Sequence, residues 1–527
     1  MSFVAILILA GTASAFQSIV VLPFSNESQT QQIYWLGEGF AESLSEEMFL
    51  KDAYIIQRPD RKAAYDSLRL PYVGHISRAT MLKIGEKIGA NYIVFGSYTL
   101  HENNLSVKVQ VIQAASSRLS KTIEAAAPLD NLYDVQVTIK EGLKSYFISE
   151  KLVPVVTQSV QSPVPLHAYE LYIKGLLESS DQEKVALLYR AIEAHPGYPE
   201  AILRLGSALF RLGRYGESNE ILGGLDQNGL FRARVDFMTA LNLYYSKDYS
   251  TAVHKWYEMT VSYPHAEIFN NIGIALIKKN ELQDATWYLS RAVDLDPENA
   301  DFQFNLAVCY FQKGETEGAV RHFREAILLS PTSDQALYWL AKTLEKAGSV
   351  ESSRVMEYHQ EMSQTGQSKG KFAELNPSPI QMLRAAHTFY SLEEKNFMIL
   401  NRDKELMQRS DYLKTYQGNA YKQIQDNQPD QAVQEIKKGI SLSPFDWYLH
   451  HLRGQVFLKQ DNREAAVSEL RFALWCMNNV DSHLLLAEIY QEDERFKDAK
   501  EHVQLALALD PQHKKAIQIW GKIWNRK

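Results

Sequence analysis

Cysteine and surplus positive charge are scarce in this 527-residue sequence. The two cysteines, Cys309 and Cys476, lie far apart, which argues against a disulfide or a metal site, and we interpret both as buried apolar thiols. Lys and Arg number 56 against 63 Asp and Glu, which gives a net charge of −7. A chain with this balance lacks the cations that neutralise phosphates, so we expect no nucleic-acid partner.

Motifs of catalysis are also missing. The sequence has no P-loop, H-E-x-x-H, C-x-x-C or nucleophile elbow. Gly37-Glu38-Gly39 lacks the third glycine and the lysine of a phosphate loop, and we interpret it as a tight helix entry. His450 and His451 are adjacent and would point to different faces of a helix, so they are poor co-ligands. We therefore expect no catalytic residue, metal or cofactor.

Long apolar runs are scarce too, and one of them opens the chain. Phe3 to Ala10 is apolar, and Ala13-Ser14-Ala15 follows. A short apolar core before such small residues is typical of a secretory signal, although the usual positive charge before the core is missing. The alternative is a buried first strand or helix. We predict a signal peptide over residues 1–15, cleaved after Ala15, a periplasmic or secreted protein, and no transmembrane span in the mature chain.

Residues 266–333 repeat one pattern twice. Apolar residues at helical spacing give each copy a buried stripe, and the Gly and Ala residues allow two helices to approach closely. The copies are offset by roughly 34 residues, the length of a tetratricopeptide repeat (TPR), whose unit is a pair of helices, and the pattern resembles that family. The equivalent positions are Ile272 and Leu306, Gly273 and Ala307, Leu276 and Tyr310, Ala285 and Ala319, Leu289 and Phe323, Ala292 and Ala326, Pro297 and Pro331.

The same spacing extends the array in both directions. We predict about six units over residues 168–367 and about three units with a capping helix over 413–527. Between them, residues 368–412 lack the small-residue pattern and are predicted to be an irregular connecting segment. The repeats therefore predict an all-α superhelical solenoid with an extended concave surface.

The resemblance also implies a binding groove. In TPR proteins the first helix of each pair lines the concave face through its second, fifth, ninth and twelfth residues. Carried over to this chain, the predicted partner-binding residues are Phe237, Leu241, Tyr244, Asn270, Ile274, Ile277, Phe304, Val308, Phe311 and Tyr338. Such an apolar groove suits a peptide or a helix, whereas the alternative is that these residues fill space between repeats. The carboxylate-clamp pattern of chaperone-binding TPR domains is not visible at these positions.

Residues 16–152 have a different pattern. Strand and helix signals alternate and are followed by consecutive strands, which predicts an α/β domain with a mixed sheet and flanking helices. The stretches VVLPFSNES, YWLGEGFAESL and IGEKIGANYIVFGSYTL resemble the TolB amino-terminal domain and related bacterial envelope modules of the FlgO and CsgG type. The resemblance implies an envelope protein whose α/β module contacts other proteins. Residues 153–167, rich in Pro, Ser, Gln and Val, are predicted to be a linker.

These observations predict a non-enzymatic protein–protein interaction scaffold of the bacterial cell envelope. Its partners would be proteins or peptides held in the concave groove. One alternative is a signalling adaptor that keeps residues 1–15 and stays in the cytoplasm or at the membrane. The other is an enzyme or small-molecule sensor with a site in the N-terminal domain.

Overall fold

The structure is a computed structural model that describes residues 17–28, 30–47, 50–51, 53–72, 74–154, 164–225, 231–364, 378–387 and 392–524. The predicted signal peptide, residues 155–163 of the predicted linker and residues 368–377 and 388–391 of the predicted connecting segment lie outside these ranges. The chain divides into two compact units, Met1–Lys247 with Thr388–Asp403, and Asp248–His387 with Lys404–Lys527.

A mixed sheet occupies residues 17–128. The strands of the chain are β1 (Gln17–Val21), β2 (Ser25–Asn26), β3 (Leu50–Lys51), β4 (Ala53–Ile56), β5 (Tyr92–His101), β6 (Asn104–Gln113), β7 (Arg118–Leu119), β8 (Ile123–Pro128) and β9 (Val153–Pro154). In the sheet, β4, β1 and β5 are parallel, whereas β5, β6 and β8 are antiparallel. Strands β3 and β9 pair separately, so the first two residues of the predicted linker form a strand with the α/β domain.

Helices cover both faces of this sheet. They are α1 (Trp35–Glu47), α2 (Arg58–Ser67), α3 (Arg78–Ile88) and α4 (Leu132–Ser149). Alternate residues of β1 enter different cores, as the two-residue period of a strand requires. Ile19 packs in the cluster that includes residues of α1 and α4, whereas Val20 packs in the cluster that includes residues of α2 and α3. The predicted α/β fold is confirmed.

The remaining described residues are almost entirely helical. The helices are α5 (Leu166–Leu177), α6 (Asp181–Ala194), α7 (Pro199–Arg211), α8 (Tyr215–Leu222), α9 (Arg232–Tyr245), α10 (Tyr249–Thr260), α11 (Ala266–Lys278), α12 (Leu282–Leu295), α13 (Ala300–Lys313), α14 (Thr316–Leu329), α15 (Asp334–Lys346), α16 (Glu351–Gln364), α17 (Leu392–Gln425), α18 (Pro429–Leu442), α19 (Trp447–Lys459), α20 (Arg463–Cys476), α21 (Val480–Glu492), α22 (Phe496–Leu509) and α23 (Lys514–Ile523). A long TPR-like solenoid follows the α/β domain, as predicted.

The predicted connecting segment is helical in its last part. Residues 368–412 were expected to be irregular because they lack the small-residue pattern, yet the chain is helical from Leu392 onward. This part of α17 is rich in Leu, Glu, Lys, Met and Gln and has no Gly or Pro before Gly418, so its intrinsic helix propensity is high. The small-residue pattern indicates where two helices pack closely. A stretch without the pattern can therefore still be helical.

The first helices of the solenoid share a core with the α/β domain. One apolar cluster includes Ile19 of β1, Leu44 of α1, Tyr172 of α5 and Leu205 of α7. A Cβ atom at Gly39 would lie 3.3 Å from the hydroxyl of Tyr169, which donates a hydrogen bond to the Gly39 carbonyl. The Gly37-Glu38-Gly39 stretch therefore permits close packing of α1 against its neighbours.

The small residues of the repeats set the spacing within each helix pair. A Cβ atom at Gly273 of α11 would lie 2.5 Å from Cγ of Leu289 on α12. At Gly206 and Gly454 a Cβ atom would lie 2.9 Å from Leu222 of α8 and from Leu470 of α20, respectively. A side chain at these positions would have to push the paired helix away.

We predict that Gly273→Ala destabilises the protein by about 1–3 kcal/mol, because the new methyl group overlaps Leu289. Gly418→Ala is the matched control. It lies inside α17 with open space around it, so the change should be neutral or stabilise by up to about 1 kcal/mol. Urea unfolding followed by circular dichroism measures both. Equal effects of the two substitutions would contradict the packing role.

A buried carboxylate connects α16 with α19 and α20. Glu469 of α20 is buried and forms ion pairs with Arg354 of α16 and Arg453 of α19. Its Oε2 lies 2.8 Å from Nδ1 of His450. Burial raises the pKa of Glu469, but the His450 contact and the two arginines outweigh it, and the net pKa is lowered. These partners stabilise the ionised carboxylate in a buried position, where an unpaired charge would strongly destabilise the fold.

Buried histidines make the region from α19 to α22 sensitive to acid. Burial lowers the pKa of His451 to about 4, and its Nδ1 lies 3.1 Å from the hydroxyl of Ser482. Burial also lowers the pKa of His483 to about 4, and its Nδ1 faces that of His502 at 2.8 Å. Since an unfolded histidine has a pKa near 6.5, the unfolded chain binds protons that the folded chain excludes. The contribution of these two histidines to the free energy of unfolding is therefore complete above pH 6.5 and is lost as the pH falls towards 4.

We predict that His451→Gln reduces the loss of stability between pH 7 and pH 4.5 by about 2 kcal/mol, because one buried group that excludes a proton is removed. His254→Gln, at an exposed position, is the control and should leave the pH dependence unchanged. Unfolding free energies at the two pH values measure the effect. An unchanged pH dependence in His451→Gln would contradict the assignment.

Candidate peptide-binding groove

An extended stretch of the chain lies on α11, α13 and α15. It begins with a 3-10 turn at Pro379–Met382 and continues without helix to His387. We call Ser378–His387 the groove segment, and the surface beneath it the peptide groove. The polar side chains of the peptide groove are Asn270, Asn271, Lys278, Asp301, Asn305, Ser333 and Gln335.

Two asparagines each bind the backbone of one segment residue. The amide nitrogen of Asn305 donates to the Arg384 carbonyl at 2.8 Å, and its oxygen accepts from the Arg384 N–H at 2.9 Å. Asn271 makes the same pair of bonds with Ala386, at 2.9 and 2.8 Å. Residues i and i+2 of an extended chain present their N–H and C=O groups on the same edge. The two side chains therefore bind one edge of the segment.

A third asparagine links the other two. Asn270 donates to the Arg384 carbonyl at 3.1 Å and to Asn271 Oδ1 at 3.2 Å, and accepts a hydrogen bond from Asn305 at 2.8 Å. All three asparagine side chains belong to fully buried residues. Buried amides are stabilising only when their donors and acceptors are paired. The segment supplies a large share of those partners.

The segment also contacts the amine of Lys278 and several apolar residues. The amine of Lys278 donates to the Ile380 carbonyl at 2.7 Å, and burial lowers its pKa. Met382 and Leu383 pack against a cluster that includes Phe304, Val308 and Tyr338, whereas Ala386 packs against one that includes Phe269 and Phe302.

Four of the sequence-predicted groove residues lie at this site. Asn270 binds the segment directly, and Phe304, Val308 and Tyr338 belong to the apolar cluster beneath it. Phe304 also packs edge-on against Phe323 of α14, so it fills space within its own repeat as well.

The other predicted residues have different surroundings. Ile274 and Ile277 are buried, and half-buried Phe311 packs against Trp339. Phe237, Leu241 and Tyr244 belong to α9 and are buried. Since α9, α11, α13 and α15 begin at equal intervals along the chain, Asp236 and not Phe237 is equivalent to Asn270 and Phe304. These three residues of α9 are offset by one position from the others.

The sequence reasoning missed Asn271, Asn305, Lys278, Asp301, Ser333 and Gln335. A signal for the first two was present, because Asn271 and Asn305 are one repeat length apart and occupy the same position in both copies of the repeat. A polar residue repeated within an apolar helical stripe indicates a shared polar partner on that face. No such signal distinguishes Lys278 or Ser333 from ordinary surface residues.

Comparison with known families tests the repeat assignment. Two models described as tetratricopeptide repeat match residues 270–334 and 480–513. The predicted TPR repeats are confirmed. The first match covers most of α11–α14, and the second covers α21 and α22.

The similar proteins are distant. The BBSome complex member BBS4 of Bos taurus is 22% identical over 242 residues, which span 45% of this chain and 46% of that protein. The tetratricopeptide repeat protein 30 homolog of Aedes aegypti is 26% identical over 132 residues, or 25% of this chain and 20% of that protein. The solved structure of the MamA RS-1 ArsTM double mutant is 20% identical with a TM-score of 0.30, and the match covers 33% of this chain and 99% of that one. The chain thus spans less than half the length of both curated relatives.

Metal-ligating side chains do not gather in the structure. Within the described ranges, no cluster of three or more His, Cys, Asp or Glu side chains could hold a metal ion. Both cysteines are free thiols, and Cys309 is buried whereas Cys476 is half-buried. None of the helices described above combines the length and apolar character needed to cross a membrane.

We predict that Asn271→Ala loosens the groove segment, because Ala386 loses both backbone hydrogen bonds. At about 1 kcal/mol for each bond, hydrogen exchange of the Ala386 amide should become at least ten times faster. Mass spectrometry of the full chain measures the exchange. Asn419→Ala, an exposed asparagine of α17, is the control and should leave the segment unchanged. Unaltered exchange in Asn271→Ala would show that Asn271 does not hold the segment.

Proposed function

We propose that this protein is a non-enzymatic scaffold of the bacterial cell envelope that binds partner polypeptides in extended form in the peptide groove. The observation that carries the proposal is the pair of bidentate contacts from Asn271 and Asn305 to an extended backbone. These contacts reach only N–H and C=O groups, which every residue except proline provides. A groove built in this way suits a segment of another polypeptide as well as the chain's own.

The repeats support an interaction role. Proteins with tetratricopeptide repeats act as protein–protein interaction scaffolds, and stacked repeats provide extended concave binding surfaces. One curated relative is named as a member of the BBSome complex. The groove of α11, α13 and α15 combines buried amides, apolar clusters and a lysine amine, which together match the polar backbone and apolar side chains of a peptide.

The envelope location rests on the first 152 residues of the sequence. The apolar run from Phe3 to Ala10 with the following Ala13-Ser14-Ala15 supports export. The resemblance of residues 16–152 to the TolB amino-terminal domain supports the same compartment, and the α/β fold is compatible with it. Both features favour a mature protein on the outer side of the cytoplasmic membrane.

The test needs a variant in which the groove segment no longer occupies the peptide groove. Ala386→Pro removes the N–H that donates a hydrogen bond to Asn271 Oδ1. The segment is then held less tightly, while the sequence of the repeats is unchanged. A fluorescent peptide with the sequence of residues 378–387, SPIQMLRAAH, is then titrated into the full chain.

We predict that this peptide binds the Ala386→Pro chain at least ten times more tightly than the wild-type chain. Adding Asn271→Ala to the receptor should weaken binding at least ten-fold, because the peptide's Ala386 loses two hydrogen bonds. Adding Asn419→Ala instead should have no effect. Failure of the peptide to bind the Ala386→Pro chain would refute the proposed function.

A further inference from the structure

We infer that the peptide groove selects an extended partner segment that carries an arginine two residues before a small residue, and that the groove segment is an intramolecular copy of this ligand. The inference rests on the proposed function and names the partner's chemistry. Four side chains of the repeats converge on the guanidinium of Arg384. We call Asp301, Phe304, Ser333 and Gln335 the arginine socket.

The socket matches the shape of a guanidinium as well as its charge. Arg384 Cζ lies 4.1 Å from the centre of the Phe304 ring. Its Nη1 lies 2.5 Å from Asp301 Oδ1, and its Nη2 donates to Ser333 Oγ and Gln335 Oε1, each at 3.1 Å. A planar cation that stacks on a ring and donates in several directions is a property of arginine, whereas lysine offers a compact point charge.

The hydroxyl of Ser333 is committed to the socket. Ser333 is the N-cap residue of α15, where a serine side chain ordinarily accepts a hydrogen bond from a backbone N–H of the first turn. Here the side chain makes no such cap bond, and its oxygen accepts from Arg384. The first turn is served instead by Asp334, whose Oδ1 accepts from the Gln335 N–H at 2.8 Å.

Adjacent residues of α13 recognise the backbone and the side chain of the same arginine. Asn305 binds the N–H and C=O of Arg384, and Phe304 stacks on its guanidinium. Because both contacts are made to one residue, they fix the register of the bound segment. An arginine at another position would lose either the backbone hydrogen bonds of Asn305 or the contacts of the arginine socket. Two residues later, Ala386 packs its methyl group against the cluster of Ala266, Phe269, Ala292 and Phe302, where a small side chain fits. The preferred pattern is therefore Arg-x-small in an extended chain.

The segment and the partner compete for one site. A tethered ligand acts at an effective concentration on the order of millimolar, so a free peptide must bind well or be present at high local concentration to displace it. Weakening Arg384 in the chain itself should therefore raise the affinity for a peptide added in solution.

The experiment uses the full chain with Ala386→Pro as receptor and three fluorescent decapeptides of residues 378–387, namely wild type, Arg384→Ala and Arg384→Lys. We expect the Arg384→Ala peptide to bind at least ten times more weakly than wild type and the Arg384→Lys peptide at least three times more weakly. Asp301→Asn in the receptor should reduce the preference for arginine over alanine at least three-fold. Since the Asp301 side chain is largely exposed, this variant should fold, and circular dichroism verifies it.

The outcomes separate the two proposals. Equal binding of the wild-type and Arg384→Ala peptides, with Asn271→Ala in the receptor still weakening both at least ten-fold, would overturn arginine selection and leave the scaffold function intact. No binding of any peptide to the receptor would overturn the proposed function itself. A wild-type chain that sedimented as a dimer and became monomeric on Arg384→Ala would overturn the intramolecular assignment, because the segment would then belong in the groove of a second copy.

Discussion

The close approach of paired helices is the constraint on which the peptide groove depends. At Gly273 there is no room for a side chain, because a Cβ atom would lie 2.5 Å from Leu289 of the paired helix. Successive units have the same length, so α11, α13 and α15 begin at equal intervals along the chain. Equivalent positions of these helices therefore repeat across the groove, and Asn271 and Asn305 bind segment residues 386 and 384 in turn. Helices that recur at one repeat length therefore present their asparagines to alternate residues of one extended backbone.

The buried asparagines make the groove depend on an occupant. Asn270, Asn271 and Asn305 are fully buried beneath the segment and share hydrogen bonds with one another, but these internal bonds do not use every donor and acceptor. An amide buried without a partner costs about 1–3 kcal/mol. Water would have to replace the segment in an empty groove, and the apolar clusters on either side would be exposed to it as well. The chain's own segment therefore stabilises the groove. Under the proposed function, a partner would have to supply the same backbone contacts to replace it.

The α/β domain packs against α5–α7, the first helices of the solenoid. The predicted linker composition favours an extended spacer, yet the core of the domain continues through Leu44 and Tyr172 to Leu205 of α7. Arg204 of α7 also forms an ion pair at 2.8 Å with the buried carboxylate of Glu42 on α1. Burial of this shared apolar surface favours a fixed arrangement of the domain and α5–α7 over two independent bodies. These apolar contacts determine how the domain and α5–α7 are held together.

The sequence predicts helix pairing far better than it predicts the contacts of α11, α13 and α15 with the groove segment. Gly273, Leu289 and their equivalents recur at one repeat length because every pair needs the same spacing, and the alternation in β1 likewise reports a two-faced sheet. The groove segment carries no such repetition, since an extended chain bound through its backbone needs particular side chains only at Arg384 and Ala386. Among the polar residues of its binding site, Asn271 and Asn305 are the pair that recurs at one repeat length within an apolar stripe. In α11 and α13, the asparagine at the position where the neighbouring units have Phe237 and Trp339 binds the backbone of the groove segment.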